Sequence, residues 1–497
     1  MRQLLVCLLV GLVAACGPKK VAVDPAIAGR ATLSQADANL RAGCFDCLVD
    51  ALRQYEATRA IPVLAPEATT GAVRAAALLA LRERELGTTD SGYLEKAREM
   101  ASHDVAPLLE VIDLMPWRVG TGASGLPVFA NREQRAETLR PLAERDELSA
   151  YVWIAYACGS GVSLTMSRAE LKASVGSWAD APLLGFRLAI CSTSAPSAID
   201  AVVAAEPRYK EAAYFKGLTA TAARKLDDAD ARYHEAYAWR KTWPAATLSL
   251  GNLAMTEEDF QTARDFYDET LGLAPTLPDA LLGKLRALTF LSSHEAAMAV
   301  ADVLVASGRY PGDAHYWKAY NELSLERYDA AWLDIEAADR SLINSDVPKL
   351  AGIIAINRHE IDIAQQRLEI SKRRNANDCQ TLYYLHLVFA DERKWPETVS
   401  GAVSAAGCID AAEAGLRAQI EEIRQSDAPE ARKTRQIAAR EQQIATGLRM
   451  RATCWFNAAV GSYNTRKNDD ARMYAAKLDG DAQYEDRARD LVSQLPR

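Results

Sequence analysis

The sequence has 497 residues, 25% of them charged, and a formal net charge of −8. This acidic balance, without any basic cluster, argues against nucleic acid as a partner. Because one hydrophobic core rarely grows beyond about 250 to 300 residues, we expect several domains or an extended array of repeats.

The first fifteen residues have the pattern of an export signal. Met1–Gln3 is a short basic segment, and residues 4–13 are an apolar run too short to span a bilayer. Small residues then precede Cys16, in the order Val-Ala-Ala-Cys-Gly over residues 13–17. We therefore predict that residues 1–15 are cleaved off, and that residues 16–30 form a short tether.

The segment around Cys16 resembles the lipobox of bacterial lipoproteins. The resemblance implies that the Cys16 thiol carries a diacylglycerol, which would anchor the chain to a membrane that it does not span. Gly17 resembles the residue at this position in lipoproteins sent to the outer membrane; the face of that membrane stays open. The alternative is an ordinary signal peptide with an incidental Cys16.

The next part, residues 31–206, is predicted to be helical but lacks a regular period. Ala36 to Arg59 has the pattern of a helical hairpin that turns at Gly43, and Ala72 to Leu86 begins another. These hairpins are either diverged members of one solenoid or a distinct helical domain.

Cysteines are permitted to form disulfides in an exported protein. Cys44 and Cys47 have redox-motif spacing, but the helical context without a βαβ unit favours a structural bridge or free thiols. Cys158 and Cys191 each end an apolar helical run and form a second candidate pair.

A third candidate pair lies further along the chain. Cys379 would open one helix and Cys408 would close the next, which brings both to one end of an antiparallel hairpin. Cys454 is the candidate for the unpaired thiol. For each pair, the alternative is a buried, small apolar residue.

Residues 120–125, Gly-Thr-Gly-Ala-Ser-Gly, match the dinucleotide fingerprint. That fingerprint works only between a strand and a helix, where the helix N-terminus meets the pyrophosphate. Here it follows a helical stretch, so we predict a loop and no cofactor.

A period of 34 residues runs from Lys210 to Asn344. Small residues mark one phase of the period, at Ala229, Ala263, Ala297 and Ala331. Other phases hold Tyr233, Tyr267, Ala301 and Ile335; Ala236, Thr270, Leu304 and Ala338; and Gly217, Gly251, Leu285 and Ala319.

This pattern resembles the tetratricopeptide repeat, in which two helices form a hairpin and small residues let them approach closely. The resemblance implies an all-α fold, an α-solenoid of tetratricopeptide-like helical hairpins, with the repeats over 207–410. Two looser units follow, at Gly352, Ala364, Leu368 and Ser371, and at Thr398, Ala402 and Ala405.

Residues 411–497 are predicted to hold a charged helix broken near Pro429, a last hairpin and a capping helix. The last hairpin is marked by Ala459, Ala471 and Leu478. A polar outer face on the final helix would cap the solenoid.

Catalytic and metal-binding motifs are absent from the sequence. His294-Glu295 and His359-Glu360 begin like a zinc-protease motif but lack the second histidine four residues on. We therefore predict no catalytic residue, no metal site and no enzymatic activity.

In tetratricopeptide arrays, first-helix residues line a concave groove that binds partners. The corresponding residues here include Tyr214, Asn252, Arg286, Phe290, Tyr316, Tyr320 and Tyr383. Their residue types suit partner binding, although packing between hairpins is the alternative role. The chaperone-type carboxylate clamp is not expected, because Leu248 stands where it requires a lysine.

The hypothesis that follows is a lipid-anchored scaffold that binds a protein or peptide partner in the bacterial cell envelope. An outer-membrane lipoprotein that captures glycans is the alternative, but 7% aromatic residues and short turns are few for stacking sugars. A peptidoglycan-cleaving enzyme is a third class, for which only residues 90–206 leave room.

Overall fold

The computed structural model describes residues 25–88, 90–103, 105–115, 137–160, 168–190 and 196–496. Cys16, Cys191 and the glycine-rich segment 120–125 lie outside these ranges. The described residues contain α-helices joined by turns and no β-strand. Among them, no helix has the combination of length and apolar character that a membrane span needs. They form two compact units, which divide between Ala222 and Ala223.

The first unit contains ten α-helices within its described residues. They are α1 (Pro25–Ala42), α2 (Phe45–Thr58), α3 (Ala65–Leu86), α4 (Tyr93–Met100), α5 (Ala106–Asp113), α6 (Glu147–Ser160), α7 (Arg168–Ala173), α8 (Pro182–Ile190), α9 (Pro196–Ala205) and α10 (Ala212–Ala222). Two 3₁₀ turns, Arg140–Leu142 and Gly176–Asp180, lie between them.

The hairpin of α1 and α2 turns at Gly43, where φ is +69°. A side chain there would also meet Leu183, since an added Cβ would lie 2.4 Å from its Cδ1 atom. Glycine is therefore required at this turn by both the backbone conformation and the close approach of α8.

A buried network of charges ties the first unit together. Arg82 of α3 lies 2.6 Å from the carboxylate of Glu211, and both side chains are fully buried. Tyr151 of α6 donates a hydrogen bond of 2.6 Å to Glu85, and Arg187 of α8 lies 3.0 Å from the same carboxylate. Because buried charges are tolerated only when paired, the network fixes how these helices pack.

The second unit is a succession of helices of similar length, followed by two long ones. They are α11 (Leu226–Trp239), α12 (Pro244–Thr256), α13 (Phe260–Leu273), α14 (Pro278–Phe290), α15 (His294–Ala306), α16 (Pro311–Ser324), α17 (Tyr328–Asp339), α18 (Asp346–Asn357), α19 (Ile361–Arg374), α20 (Cys379–Asp391), α21 (Trp395–Gln425), α22 (Glu430–Asn464), α23 (Asn468–Ala475) and α24 (Glu485–Ser493). A 3₁₀ turn, Ala476–Leu478, follows α23.

Six hairpins within the described residues of the second unit turn through a non-glycine residue with positive φ. These residues are Glu258, Ser292, Glu326, His359 and Arg393, with Arg466 in the last hairpin. The first three are 34 residues apart, and His359 follows after 33. The 34-residue period is thus visible in the backbone conformation. A repeat that is one residue shorter before His359 explains why the sequence pattern shifts after Asn344.

Hydrogen bonds offset the strain of these turns. The N–H group that follows each positive-φ residue donates to the carbonyl five residues earlier, as Asp259 does to Ala254 at 2.8 Å and Ser293 does to Leu288 at 2.9 Å. This is the Schellman arrangement, which satisfies carbonyls at the end of the first helix and sends the chain directly into the second.

Paired small and large residues decide how closely the helices approach. Gly251 faces the Tyr267 ring, because an added Cβ would lie 2.8 Å from its Cε1 atom. One period later the sizes are exchanged, and Leu285 packs in one core cluster with Ala301. Since the same volume is filled from opposite sides, the hairpins keep one geometry although their residues differ. The predicted α-solenoid of tetratricopeptide-like hairpins is confirmed.

The long helices α21 and α22 depart from the repeat. Their adjoining halves, residues 409–450, are joined by a short break at 426–429, and we call this segment the arm. At its base, Ile409 packs in a core with Leu382 of α20 and Cys454 of α22.

A cavity between the repeats and the arm

A cavity of 1240 Å³ lies within the second unit. One wall comes from the first helices of successive repeats and the opposite wall comes from the arm. The repeat wall includes Asn252, Met255, Leu282, Arg286, Phe290 and Tyr320. The arm wall includes Ile409, Ala412, Leu416, Gln442, Gln443 and Met450.

A buried tyrosine positions the polar end of the repeat wall. The hydroxyl of Tyr267 donates a 2.8 Å hydrogen bond to Oδ1 of Asn252. Burial raises the pKa of Tyr267 well above its usual range, so the hydroxyl keeps its proton and remains a donor. The Asn252 amide is therefore held in one orientation at the cavity surface.

Aromatic rings continue along the repeat wall. Phe260 stacks on Phe290 with ring centroids 4.7 Å apart, and Phe290 meets Trp317 edge-on at 5.7 Å. Tyr320 follows at 5.9 Å from Trp317. Phe290 is 48% exposed and Tyr320 is 40% exposed, so the row of rings presents apolar surface to the cavity.

Charged side chains on the repeat wall are few. Arg286 is exposed and lies over the Trp317 ring at 5.7 Å, and within the described chain it forms no ion pair. Asp279 accepts a 2.6 Å hydrogen bond from the Tyr310 hydroxyl. Burial and this bond raise the pKa of Tyr310 to about 12.

The tip of the arm is held to the acidic turns of the repeats by arginines of α22. The ion pairs are Arg432 with Asp227 at 2.6 Å and with Glu257 at 2.6 Å, Arg435 with Asp259 at 3.1 Å, and Arg440 with Glu258 at 2.7 Å. Burial raises the pKa of Glu257, and the Arg432 guanidinium opposes that shift. The arm is thus fixed at its tip by charge and at its base by the apolar core.

Sequence reasoning missed the arm as part of this site. The available signal was charge complementarity between the acidic turns, such as Glu257–Asp259, and the arginines that follow Pro429. Acidic residues are also favourable at helix N-termini, so their presence alone does not indicate ion pairs with a distant helix.

The structure brings four of the seven predicted groove residues to the cavity, namely Asn252, Arg286, Phe290 and Tyr320. Tyr316 is half-buried against the core that its own hairpin shares with α18. Tyr383 is half-buried beside Leu382 and Cys454. Tyr214 belongs to the first unit, where it is buried. The side chains of these three tyrosines pack against neighbouring residues and do not line the cavity.

Five cysteines within the described residues form disulfides. A disulfide joins Cys379 at the start of α20 to Cys408 of α21, with Cα atoms 5.4 Å apart. Cys44 and Cys47 form another, with Cα atoms 4.9 Å apart, and Cys158 is also disulfide-bonded.

Cys454 is a buried free thiol, whose pKa burial raises to about 12. Because the thiolate is the reactive form, this thiol is expected to be inert at neutral pH.

Histidines do not gather into a site. Within the described ranges, no group of three histidine, cysteine, aspartate or glutamate residues could hold a metal ion. His294 contacts the Asn321 side chain at 2.9 Å, and His315 contacts Asp334 at 2.5 Å.

No protein-family model matches this sequence, and no curated protein matches it. Solved structures of helical-repeat proteins resemble it. A chain of the Cut9–Hcn1 hetero-tetramer of APC/C is 13% identical, with coverage of 95% of this chain and 98% of its own, and a TM-score of 0.35.

Two further structures are similar to parts of the chain. Yeast Tom70 is 10% identical over 85% of this chain and 97% of its own, with a TM-score of 0.31. YrrB, a TPR protein with an unusual peptide-binding site, is 16% identical over 35% of this chain and 91% of its own, also with a TM-score of 0.31. At these scores the similarity carries no functional argument, and the fold assignment rests on the hairpins themselves.

Proposed function

We propose that this protein is a non-enzymatic, lipid-anchored scaffold that binds a protein or peptide partner in the bacterial cell envelope. The observation that carries the binding role is the cavity of the second unit, where the exposed rings of Phe290 and Tyr320 lie beside Arg286. Aromatic and arginine side chains are the types that contribute most to binding energy at protein interfaces.

The polar groups around the cavity support binding better than catalysis. Its carboxylates Glu258 and Glu413 are neutralised by arginines at 2.7 Å, and Asp279 is hydrogen-bonded to Tyr310. General acid–base catalysis needs a titratable group free to exchange a proton with a substrate. The carboxylates of this cavity are instead engaged by neighbouring side chains of the protein.

Site-specific photo-crosslinking in intact cells tests the binding role. A photoreactive residue at Phe290 or Tyr320 should yield adducts with one reproducible partner. The matched control is Leu333, which is 70% exposed, belongs to the second helix α17 and does not line the cavity. If positions 290 and 320 gave no adducts beyond those at 333, the binding role would be wrong.

The anchor is tested separately at Cys16, where Cys16→Ser removes the thiol that would carry the lipid. The variant should move from the membrane fraction to the soluble fraction and keep the far-ultraviolet circular dichroism of the helical fold. Retention of the variant in the outer membrane would overturn the anchor and leave the binding role to be judged by crosslinking.

A further inference from the structure

We infer that the cavity binds a single extended peptide segment in which a carboxylate stands next to a large apolar side chain, and that the arm supplies half of this site. The inference rests on the proposed function, because it takes the cavity as the partner-binding surface and names the chemistry of what enters it.

The arm is a fixed wall and not a loose appendage. At its tip, Arg432, Arg435 and Arg440 form ion pairs with the acidic turns. At its base, the Cys379–Cys408 disulfide and the core around Ile409 secure α21 against α20. A partner that reaches Phe290 or Tyr320 therefore meets side chains of the arm as well.

The charge of the cavity favours a negatively charged ligand group. Arg286 is exposed at the wall and forms no ion pair within the described chain. The carboxylates Glu258 and Glu413 are paired with arginines. Asp279 also lines the cavity, but it is half-buried and accepts a 2.6 Å hydrogen bond from Tyr310. Among the described residues that line the cavity, the exposed charge without an ionic or hydrogen-bonded partner is thus that of Arg286, and a guanidinium binds carboxylates through geometrically matched hydrogen bonds.

Apolar surface lies on both walls of the same cavity. Phe290 and Tyr320 are exposed on the repeat side, and Leu416 and Ile409 line the arm side. A large apolar side chain placed between the walls would remove apolar area of both walls and of the ligand from water. Each Å² of apolar surface buried in this way stabilises the complex by about 25 cal/mol.

Exposed side-chain amides favour an extended backbone over a helical one. Gln442 and Gln443 on the arm, and Gln380 at the start of α20, line the cavity and are exposed. An extended segment brings backbone N–H and C=O groups that need partners, whereas a helix satisfies most of its own. Side-chain amides offer both a donor and an acceptor for these groups.

A selection of random heptapeptides displayed on phage, against the full chain purified in detergent, tests the chemistry. Enriched peptides should carry Asp or Glu within two positions of Phe, Trp or Leu. For Arg286→Glu the enriched charge should change to Lys or Arg. Arg309→Glu, an exposed arginine that does not line the cavity, should leave the acidic preference intact.

A second measurement tests the arm. A fluorescein-labelled peptide from the selection should bind Leu416→Glu at least tenfold more weakly by anisotropy, and bind Leu333→Glu as it binds the unmodified protein. If Leu416→Glu fails to fold, the double variant Gln442→Glu, Gln443→Glu takes its place and should weaken the acidic peptide to a similar extent.

The inference would be overturned if no peptides were enriched, or if Arg286→Glu enriched the same acidic peptides as the unmodified protein. Unchanged affinity in the arm variants would overturn the arm's share of the site. Either failure is distinguishable from failure of the proposed function, because photo-crosslinking at Phe290 and Tyr320 would still capture a protein partner.

Discussion

Nη2 of Arg432 lies 2.6 Å from Oε1 of Glu257, and each side chain is only 11% exposed. This ion pair joins the arm to the turn between α12 and α13. A mostly buried charge destabilises the folded protein when its partner of opposite charge is removed. The position of the arm over the cavity therefore depends on a small number of identifiable side chains.

Arg432→Ala should loosen the arm. The Glu257 carboxylate would remain mostly buried without its guanidinium, at a cost of about 2 kcal/mol. We expect amide hydrogen exchange in residues 430–445 to rise about tenfold or more, while α12 to α17 keep their protection. Mass-spectrometric hydrogen exchange would measure both regions in one experiment.

Arg424→Ala is the matched control for this change. Arg424 pairs with Glu421 on its own helix, and both side chains are more than half exposed, so its loss should leave exchange unchanged. The charge exchange Arg432→Glu with Glu257→Arg should restore only part of the protection, because the new glutamate would face Asp227. Unaltered exchange in Arg432→Ala would show that the core at Ile409 alone positions the arm.

The hairpins were predictable from sequence because their determinants are local and periodic. Ala263, Ala297 and Ala331 recur every 34 residues, and all three are fully buried. A small residue is demanded wherever two helices cross closely, so each repeat leaves the same trace in the sequence.

The arm was not predictable in this way. Its contacts join residues far apart in the chain, with a sequence separation of 182 for Arg440 and Glu258 and of 205 for Arg432 and Asp227. Single ion pairs leave no period in a sequence. The exposure of the groove tyrosines was not predictable either. Tyr316 and Tyr320 lie on the same helix, and only the packing of neighbouring helices makes Tyr316 half-buried and leaves Tyr320 exposed.

Size exchange between neighbouring repeats gives a second prediction. Gly251→Leu should destabilise the second unit by about 2 to 3 kcal/mol, because the new side chain meets the Tyr267 ring. The double variant Gly251→Leu, Tyr267→Ala reproduces the Leu285 and Ala301 pair of the next repeat, and should recover at least half of the loss. Urea denaturation of the two single variants and the double variant gives the coupling free energy.

The coupling should be favourable by more than about 1 kcal/mol, since leucine at 251 clashes with the Tyr267 ring and alanine at 267 alone leaves a cavity. Additive effects would mean that the two positions pack independently, contrary to the contact between them. Tyr267→Ala alone also removes the hydrogen bond to Asn252, so peptide binding is best compared only among folded variants.

The Cys379–Cys408 disulfide closes a loop with a sequence separation of 29. Such a cross-link restricts the unfolded chain and stabilises the folded one by about 3 kcal/mol. Cys379→Ser with Cys408→Ser should lower the free energy of unfolding of the second unit by that amount in urea. Addition of a reductant should then have no further effect on that transition, whereas it should destabilise the unmodified protein.

His386 makes the stability of the second unit depend on pH. The side chain is fully buried, and its Nε2 atom lies 3.2 Å from Nδ2 of Asn457. Burial lowers its pKa from 6.5 to about 4. Between pH 6.5 and pH 4, His386 is protonated in the unfolded chain and neutral in the folded chain. The contribution of this histidine to the free energy of unfolding is therefore fully present above pH 6.5 and falls as the pH drops toward 4.

His386→Gln should remove this dependence while keeping a polar group beside Asn457. Between pH 7.5 and pH 5.0 the histidine is expected to cost the unmodified protein about 2 kcal/mol, since each pH unit below 6.5 contributes about 1.4 kcal/mol. The loss of stability over that interval should therefore be smaller by this amount in the variant, measured by urea denaturation at both pH values. His103→Gln, at an exposed position, should behave like the unmodified protein. An equal pH dependence in His386→Gln would mean that His386 is protonated in the folded state and that α20 accommodates the charge.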